Sequence, residues 1–380
     1  MTQKDKIREY IKYVKSKGKG PIDFYSLKPI LKEEAIYNMI IGERSNGKTY
    51  ACLEYALFMY LRYGDTTAYV RREEEDLRGR RGYSLFNNHV ANGVVKELTG
   101  GKWDNVYMYS QRWYLCKYDK MGKRVIDNDP FCYGFSLTGA DHDKSSAYPT
   151  VKTIIFDEFL TRDGYMRDEF VRFTNVVSTI IRHRDDVIIF MLGNTVNQYS
   201  PYFTEMGIES VKDMKQGTIR VYNYGNSGLK VAVEYCESLE SQKENNRYFA
   251  FNNPKLAMIT GGAWEIDLHP HCPIKYRPAD IILSYFIEFV DDILQCEIVQ
   301  VEDQFFTFVH RKTTPIKDKT HDLIFSQEYS PRPNYRRNLL KPMDAPGQKI
   351  AWFFKNDKVF YQDNVVGDIV KNYIDWCRIH

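Results

Sequence analysis

Gly42-Glu43-Arg44-Ser45-Asn46-Gly47-Lys48-Thr49 is a complete G-x-x-x-x-G-K-[ST] loop. The apolar run 37–41 before it reads as a strand, and the run 50–61 after it has helical spacing. That strand–loop–helix order is the context the motif requires. Gly42 and Gly47 let the backbone turn its N–H groups toward phosphate oxygens. Lys48 can reach the β- and γ-phosphates, and the Thr49 hydroxyl can ligate Mg²⁺. Residues 42–49 are therefore the expected nucleotide-binding segment, with ATP and Mg²⁺ as its ligands.

A second motif follows about a hundred residues on. Val151-Lys152-Thr153-Ile154-Ile155-Phe156-Asp157-Glu158 is a β-branched apolar run that ends in two carboxylates. Standing alone it would read as a buried strand capped by two solvated acids. Paired with the loop at Gly42, it places Asp157 in the Mg²⁺ shell at the end of a central strand. It also places Glu158 where a base polarises an attacking water. The apolar run 187–192 ends in Gly193-Asn194 and reads as the strand that completes this type of core. The Glu after the strand aspartate assigns the core to the ASCE division of P-loop ATPases.

Composition bounds the rest. A chain of 380 residues is too long for one comfortable core, so two domains are expected. A net charge of +3 excludes a polybasic chain, so any nucleic-acid surface must be local. No apolar stretch reaches the ~18 residues of a membrane span, which predicts no membrane partner. Residues 1–20 lack an apolar signal core, which argues against secretion. The seven cysteines are dispersed without a C-x-x-C pair, as in a reducing cytosol. His269-Pro270-His271-Cys272 resembles a ligand set only superficially, because no second cluster lies near it.

Along the chain, 4–15 reads as a basic amphipathic helix and 16–21 as a linker. Strands are expected at 66–70 and 131–137, a hairpin at 106–110 with 112–116, and helices at 83–98 and 166–181. Strands alternating with helices indicate a mostly parallel sheet. A short hairpin is expected at 218–222 with 229–235, then a small connecting element over 238–268. The runs 281–290, 294–301 and 305–311, separated by acidic turns, form a three-strand meander. A fourth strand at 322–325, a helix at 334–340, short strands at 350–354 and 359–361 and a terminal helix at 365–378 complete the reading. The fold class is α/β: a P-loop ASCE-type ATPase domain at 1–237, a linker element at 238–270, and an α+β domain at 271–380 compatible with a ribonuclease-H-like fold.

Several segments in this order carry a resemblance: 40–49, then Thr67-Ala68-Tyr69-Val70-Arg71-Arg72, then Lys144-Ser145-Ser146-Ala147-Tyr148-Pro149, then 153–159, Arg182-His183-Arg184, Leu192-Gly193-Asn194 and Asn197 through Pro201-Tyr202-Phe203. The chain resembles the DNA packaging ATPases of phi29-like tailed phages over roughly its first 205 residues. The resemblance implies a homo-oligomeric ring, usually of five subunits, docked on the portal of an empty capsid in the host cytoplasm. It implies ATP hydrolysis that drives double-stranded DNA inward, and it leaves a structural RNA as an open further partner. It implies Lys48 and Thr49 as phosphate and Mg²⁺ contacts, Asp157 as the Mg²⁺ acid and Glu158 as the base. Arg182 is implied as the finger entering the neighbour's site, Lys144 as a second basic residue at that interface, and Asn194 as the γ-phosphate sensor. The C-terminal domain is implied to be a vestigial nuclease.

Two other classes share some of these features: a different P-loop translocase or helicase-like ATPase, and a large terminase that also cuts DNA. The acidic run Glu73-Glu74-Glu75-Asp76 departs from a basic DNA-tracking surface, with Arg78, Arg80 and Arg81 just beyond it. Basic clusters at 4–19, 78–81 and 332–341, with Arg311, Lys312, Arg336 and Arg337, are the expected DNA-backbone contacts. A cutting enzyme would need carboxylates converging on two metal ions. The candidates are Glu288, Asp322 and Asp368.

Overall fold

The computed structural model describes residues 1–17, 24–139, 147–162, 164–209, 211–237, 264 and 267–380. The chain divides into two compact units: Met1–Arg162 with Asp168–Trp264, and Asp163–Arg167 with Glu265–His380.

The first unit is built on one sheet. Its strands are β1 (Tyr37–Gly42), β2 (Thr66–Arg71), β3 (Asn105–Tyr109), β4 (Arg112–Tyr118), β5 (Arg124–Ile126), β6 (Cys132–Ser136), β7 (Val151–Asp157), β8 (Ile188–Asn194), β9 (Thr218–Tyr224) and β10 (Leu229–Tyr235). Their order is β3-β4-β6-β2-β7-β8-β1-β10-β9, with β5 beside β4. The central strands β6, β2, β7, β8, β1 and β10 are mutually parallel. The remaining strands are antiparallel additions at the two edges.

Both faces of the central strands are covered, which is why β1, β7 and β8 read as unbroken apolar runs rather than alternating ones. On one face, α1 (Gln3–Ser16) and α2 (Lys48–Tyr63) pack with Ile40, Ile155, Phe190 and Leu192 in a single core. On the other, α3 (Glu169–Ile181) sets Phe173 against Phe156 at 5.0 Å, with Tyr202 edge-on to both. The helix α1 begins at a capping box of Thr2 and Asp5. It drives Tyr10 into the edges of Tyr55 and Phe58. Two of its four lysines are paired locally, Lys4 with Glu34 and Lys6 with Asp65. The α1 helix therefore braces the nucleotide core.

The structure corrects three element readings. Residues 83–98 are not one helix but are divided among three short ones, Gly79–Ser84, Asn87–Ala91 and Val94–Leu98, and the turns between them. The last break falls at Gly93, whose φ of 73° only glycine adopts freely. The helix expected at 334–340 is absent, and Tyr335–Arg336 is instead a short strand. The strand expected at 350–354 lies inside the helix Ala345–Lys355, which starts because the Asp344 side chain accepts the Gly347 N–H.

The second unit carries β11 (Ile281–Phe289), β12 (Asp292–Val301), β13 (Gln304–Arg311), β14 (Ile324–Ser326), β15 (Tyr335–Arg336) and β16 (Val359–Tyr361). The meander β11–β12–β13 is antiparallel. The strand β14 joins β11 in parallel, β15 joins β14, and β16 closes the far edge on β13. Helices α4 (Ala345–Lys355) and α5 (Asn364–Ile379) follow; α5 buries Val366, Ile369, Val370, Tyr373 and Cys377. No helix among the described residues is long and apolar enough to cross a membrane.

Candidate nucleotide site

The site forms at the carboxyl ends of the parallel strands β1, β7 and β8. The β1–β8 register sets Gly42 beside Asn194, and the β7–β8 register sets Asp157 beside Leu192. The loop turns tightly: Ser45 has φ of 62° and Gly47 of 93°. A Cβ on Gly42 would stand 2.8 Å from the Cβ of Cys236, so only glycine fits there.

Lys48 is buried, and its ammonium donates to the carbonyls of Gly42 at 3.2 Å and Glu43 at 2.5 Å and to Asn194 Oδ1 at 3.3 Å. Burial pushes its pKa below the usual lysine range, against the pull of nearby groups that include the Asp157 and Glu43 carboxylates. Asn46 Oδ1 accepts the Lys48 backbone N–H at 3.2 Å and fixes the end of the loop. Arg44 and Ser45 are exposed, whereas Glu43 and Asn46 are buried. The Thr49 hydroxyl donates to both oxygens of Asp157, at 3.3 and 3.1 Å. Residues 108 positions apart in sequence thus meet as one hydroxyl–carboxylate pair.

Asp157 also accepts the Tyr69 hydroxyl at 2.8 Å and lies 3.8 Å from the Arg71 guanidinium. Burial raises its pKa, opposed by Arg71, Tyr69 and Thr49. Glu158 turns outward with φ of 60°, and its side chain is 55 % exposed. Arg71 holds its carboxylate at 2.7 Å and Asp76 at 3.1 Å. Arg72 braces the same turn, donating to the carbonyls of Glu158 and Phe159 and pairing with buried Glu169. Beside Glu158 opens a cleft of about 440 Å³, lined in part by Tyr69, Arg71, Asp76, Arg81 and Trp113. Tyr69, Arg71 and Arg72 stand at this candidate site. The sequence displays them only as the end of a strand run within the family resemblance, with no role attached.

The donor set fits a magnesium–nucleoside triphosphate. A buried ammonium and the first N–H groups of α2, which lack intrahelical acceptors, face phosphate chemistry. The Thr49–Asp157 pair supplies the hard oxygen donors that Mg²⁺ takes.

Lys144 lies outside the described residues. Arg182 caps α3 with φ of 41° and is exposed. Its neighbour Arg184 donates to the carbonyls of Pro149 and Val151, at the start of β7. Asp157 is the last residue of β7, six positions on, or ~20 Å at strand rise. The 182–184 turn is thus at the opposite end of the sheet from the phosphate loop of its own chain.

The acidic run 73–76 proves to be a source of counter-ions. Glu74 pairs with Arg78, and Asp76 pairs with Arg71 and Arg81. Elsewhere Arg311 pairs with Asp292 and Arg336 with Asp344, while Arg337 lies 3.9 Å over the Tyr329 ring. Arg78, Arg81, Arg311 and Arg336 are thus paired with acids of their own chain.

Against β1, Glu234 on β10 is buried and accepts the Tyr25 hydroxyl at 2.6 Å. Burial pushes its carboxyl up to about 7, opposed by the Tyr25 bond. A carboxyl whose pKa is higher folded than unfolded stabilises the fold in its protonated form. That contribution is present below pH ~4.5 and is lost as pH rises through about 7. Glu234→Gln, which stays neutral, is expected to gain stability over wild type at pH 8, on the order of 3 kcal/mol, and to lose that advantage at pH 4.5. Urea unfolding of both proteins at the two pH values checks this. An equal difference at both would contradict it.

Similarity to known proteins follows the same site. The DNA packaging protein of Bacillus phage phi29 is 30 % identical over 183 residues, 47 % of this chain and 49 % of that protein. The chain thus spans about half the length of the curated relative it matches. The Phi-29 viral genome packaging motor assembly shares the fold, with a TM-score of 0.55 and 21 % identity over 92 % of this chain and 97 % of that one. The Phi-28 gp11 DNA packaging motor does likewise, with a TM-score of 0.53 and 17 % identity over 94 % of this chain and 98 % of that one. Residues 22–251, more than half of the chain and including every site residue described above, match one family throughout, and the chain belongs to the Podovirus DNA encapsidation protein (Gp16) family.

Proposed function

We propose that this chain is an ATP-driven motor that moves double-stranded DNA into an empty capsid, acting as a homo-oligomeric ring on the portal. The observation that carries the reading is the contact of Thr49 with Asp157, which joins the phosphate loop to the strand acids in a member of the encapsidation family.

The residues divide the work. Lys48 and the N-terminal N–H groups of α2 hold the β- and γ-phosphates. Thr49 and Asp157 hold Mg²⁺, which when bound neutralises charge developing on the phosphates. Glu158, exposed at the cleft mouth, takes the proton from the attacking water. Arg71 positions that carboxylate, and Asn194, within 3.3 Å of the Lys48 ammonium, senses the γ-phosphate. Arg182 acts on a neighbouring subunit's ATP, a role supported by its distance from its own site; Lys144 is assigned to the same boundary. A ring of five follows from the family resemblance.

For the second unit we propose a vestigial nuclease of ribonuclease-H-like fold. The order β13-β12-β11-β14-β15, a meander extended by parallel strands, supports the fold. The chemistry supports degeneracy. The residue beside Glu288 on β14 is Ser326, not an acid, and Glu288 faces Lys319 at 3.7 Å. Asp368 is engaged by His269 at 2.7 Å. Incubated with supercoiled plasmid and Mg²⁺ or Mn²⁺, the protein is expected to leave it uncut. Nicking lost in Glu288→Ala would overturn this.

The test of the motor reading is ATP hydrolysis by the purified protein alone, with duplex DNA, and with portal-bearing empty capsids. Stimulation by DNA and capsids together, absent in Lys48→Ala, is expected. Hydrolysis indifferent to both would assign the chain to another class of P-loop ATPase.

A further inference from the structure

Glu158 adopts φ of 60°, in the left-handed region that a residue with a side chain enters only under constraint. The backbone supplies that constraint. The Glu158 N–H donates to Asp157 Oδ1 at 3.0 Å, and the Phe159 N–H donates to the Leu192 carbonyl at 3.1 Å. The carbonyls of Glu158 and Phe159 both accept from Arg72, at 3.1 and 3.0 Å. One guanidinium thus makes two of the four bonds that fix the turn.

Arg72 is itself held from behind. Glu169, the first residue of α3, accepts from its Nε at 3.1 and 3.0 Å and from its Nη2 at 2.9 Å. The Tyr202 hydroxyl donates to the same carboxylate at 2.9 Å. Both Glu169 and Tyr202 are buried. Burying a carboxylate is costly unless it is paired. Here its bonds fix one edge of a planar guanidinium, which sets the direction of the other edge. That direction is the Glu158 turn. Arg71 grips the Glu158 carboxylate, while Arg72 grips the backbone that carries it.

We propose that Glu169 and Tyr202 are positioning residues for ATP hydrolysis: through Arg72 they hold the left-handed turn that presents Glu158 to the attacking water. The proposal rests on the reading of Glu158 as the general base. Weakening the clamp misplaces the base and leaves the phosphate loop intact, so hydrolysis falls while ATP binding stays. Once the base has been removed, the clamp has nothing left to position.

The test is ATP binding and single-turnover hydrolysis by the full chain carrying Glu169→Gln or Arg72→Lys, each alone and combined with Glu158→Gln. Glu169→Gln keeps the size of the side chain and loses its charge. Arg72→Lys keeps the charge and loses the fork that spans Glu169 and the two carbonyls. Each is expected to slow hydrolysis roughly tenfold to a hundredfold, the scale of a misplacement of about 1 Å at a reacting group. ATP affinity should be unchanged. In the Glu158→Gln background neither should slow hydrolysis further. Wild-type hydrolysis in folded Glu169→Gln would overturn the proposal. So would an equal further loss in the Glu158→Gln background, which would make the clamp a structural support only. Tyr202→Phe keeps its ring against Phe156 and Phe173 and removes only the hydroxyl. It should show a smaller loss of the same pattern, and it decides alone if the other variants do not fold: wild-type hydrolysis in Tyr202→Phe would then overturn the proposal. Wild-type hydrolysis in Glu158→Gln by itself would instead remove the base reading, and this proposal with it.

Discussion

Arg182→Ala is expected to lower ATP turnover in the assembled ring by three to five orders of magnitude, roughly the 10³–10⁵ that a guanidinium supplied from a neighbour contributes. Charge spreads over the γ-phosphoryl oxygens in the transition state, and a cation from outside the pocket stabilises it. The pocket of the mutated subunit itself should bind ATP normally, because Arg182 sits at the far end of the sheet from Lys48. The Arg-His-Arg triplet separates two roles. Arg184 donates to the carbonyls of Tyr148, Pro149, Val151, Ile180 and Ile181, and so holds the turn. Arg182, one helix cap earlier, is exposed. Mixing Arg182→Ala with Glu158→Gln creates some interfaces with an intact Glu158 facing an intact Arg182. Co-assembled mixtures should hydrolyse ATP faster than either mutant alone. No gain at any ratio would refute action across the interface.

Glu158→Gln should bind ATP with near wild-type affinity and hydrolyse it about 10²–10⁴-fold more slowly, the contribution of a positioned general base. Lys48, Thr49 and Asp157 all remain in place, so binding and metal ligation persist. The substitution also ends the 2.7 Å ion pair with Arg71. That pair is exposed on the glutamate side, so its loss should cost little stability. Nucleotide binding and single-turnover hydrolysis, measured on the same preparation, separate the two effects. Turnover near wild type would remove Glu158 from the base role.

The local signals of this site were legible because each is short and has its own chemistry. The loop at 42–49, the strand ending in Asp157-Glu158 and the strand ending in Asn194 each carry a period or a residue pattern that a window can read. What was missed depends on neighbours distant in sequence. Arg71 meets Glu158 only because β2 lies beside β7, across a connection that contains β3 to β6. Tyr69 reaches Asp157 for the same reason. The strand β10 read as half of a hairpin, yet its second partner is β1, nearly 200 residues earlier in the chain. The helix at Ala345–Lys355 did have a local signal, an Asp N-cap followed by Pro346 in the first turn, and the apolar run 350–354 drew the strand reading instead. Arg182 shows the opposite limit. It is exposed at the cap of α3, and the role proposed for it between subunits leaves no mark that a single sequence displays.

On the proposed function, ATP hydrolysis at this site moves DNA into a capsid. The most direct measurement incubates portal-bearing empty capsids, duplex DNA, ATP and this protein, then digests external DNA with nuclease and weighs what is protected. Genome-length DNA should be protected with the wild-type chain and none with Lys48→Ala or Glu158→Gln. Protection that persists in those variants, or its absence with a wild-type chain that hydrolyses ATP on the same capsids, would contradict the motor function.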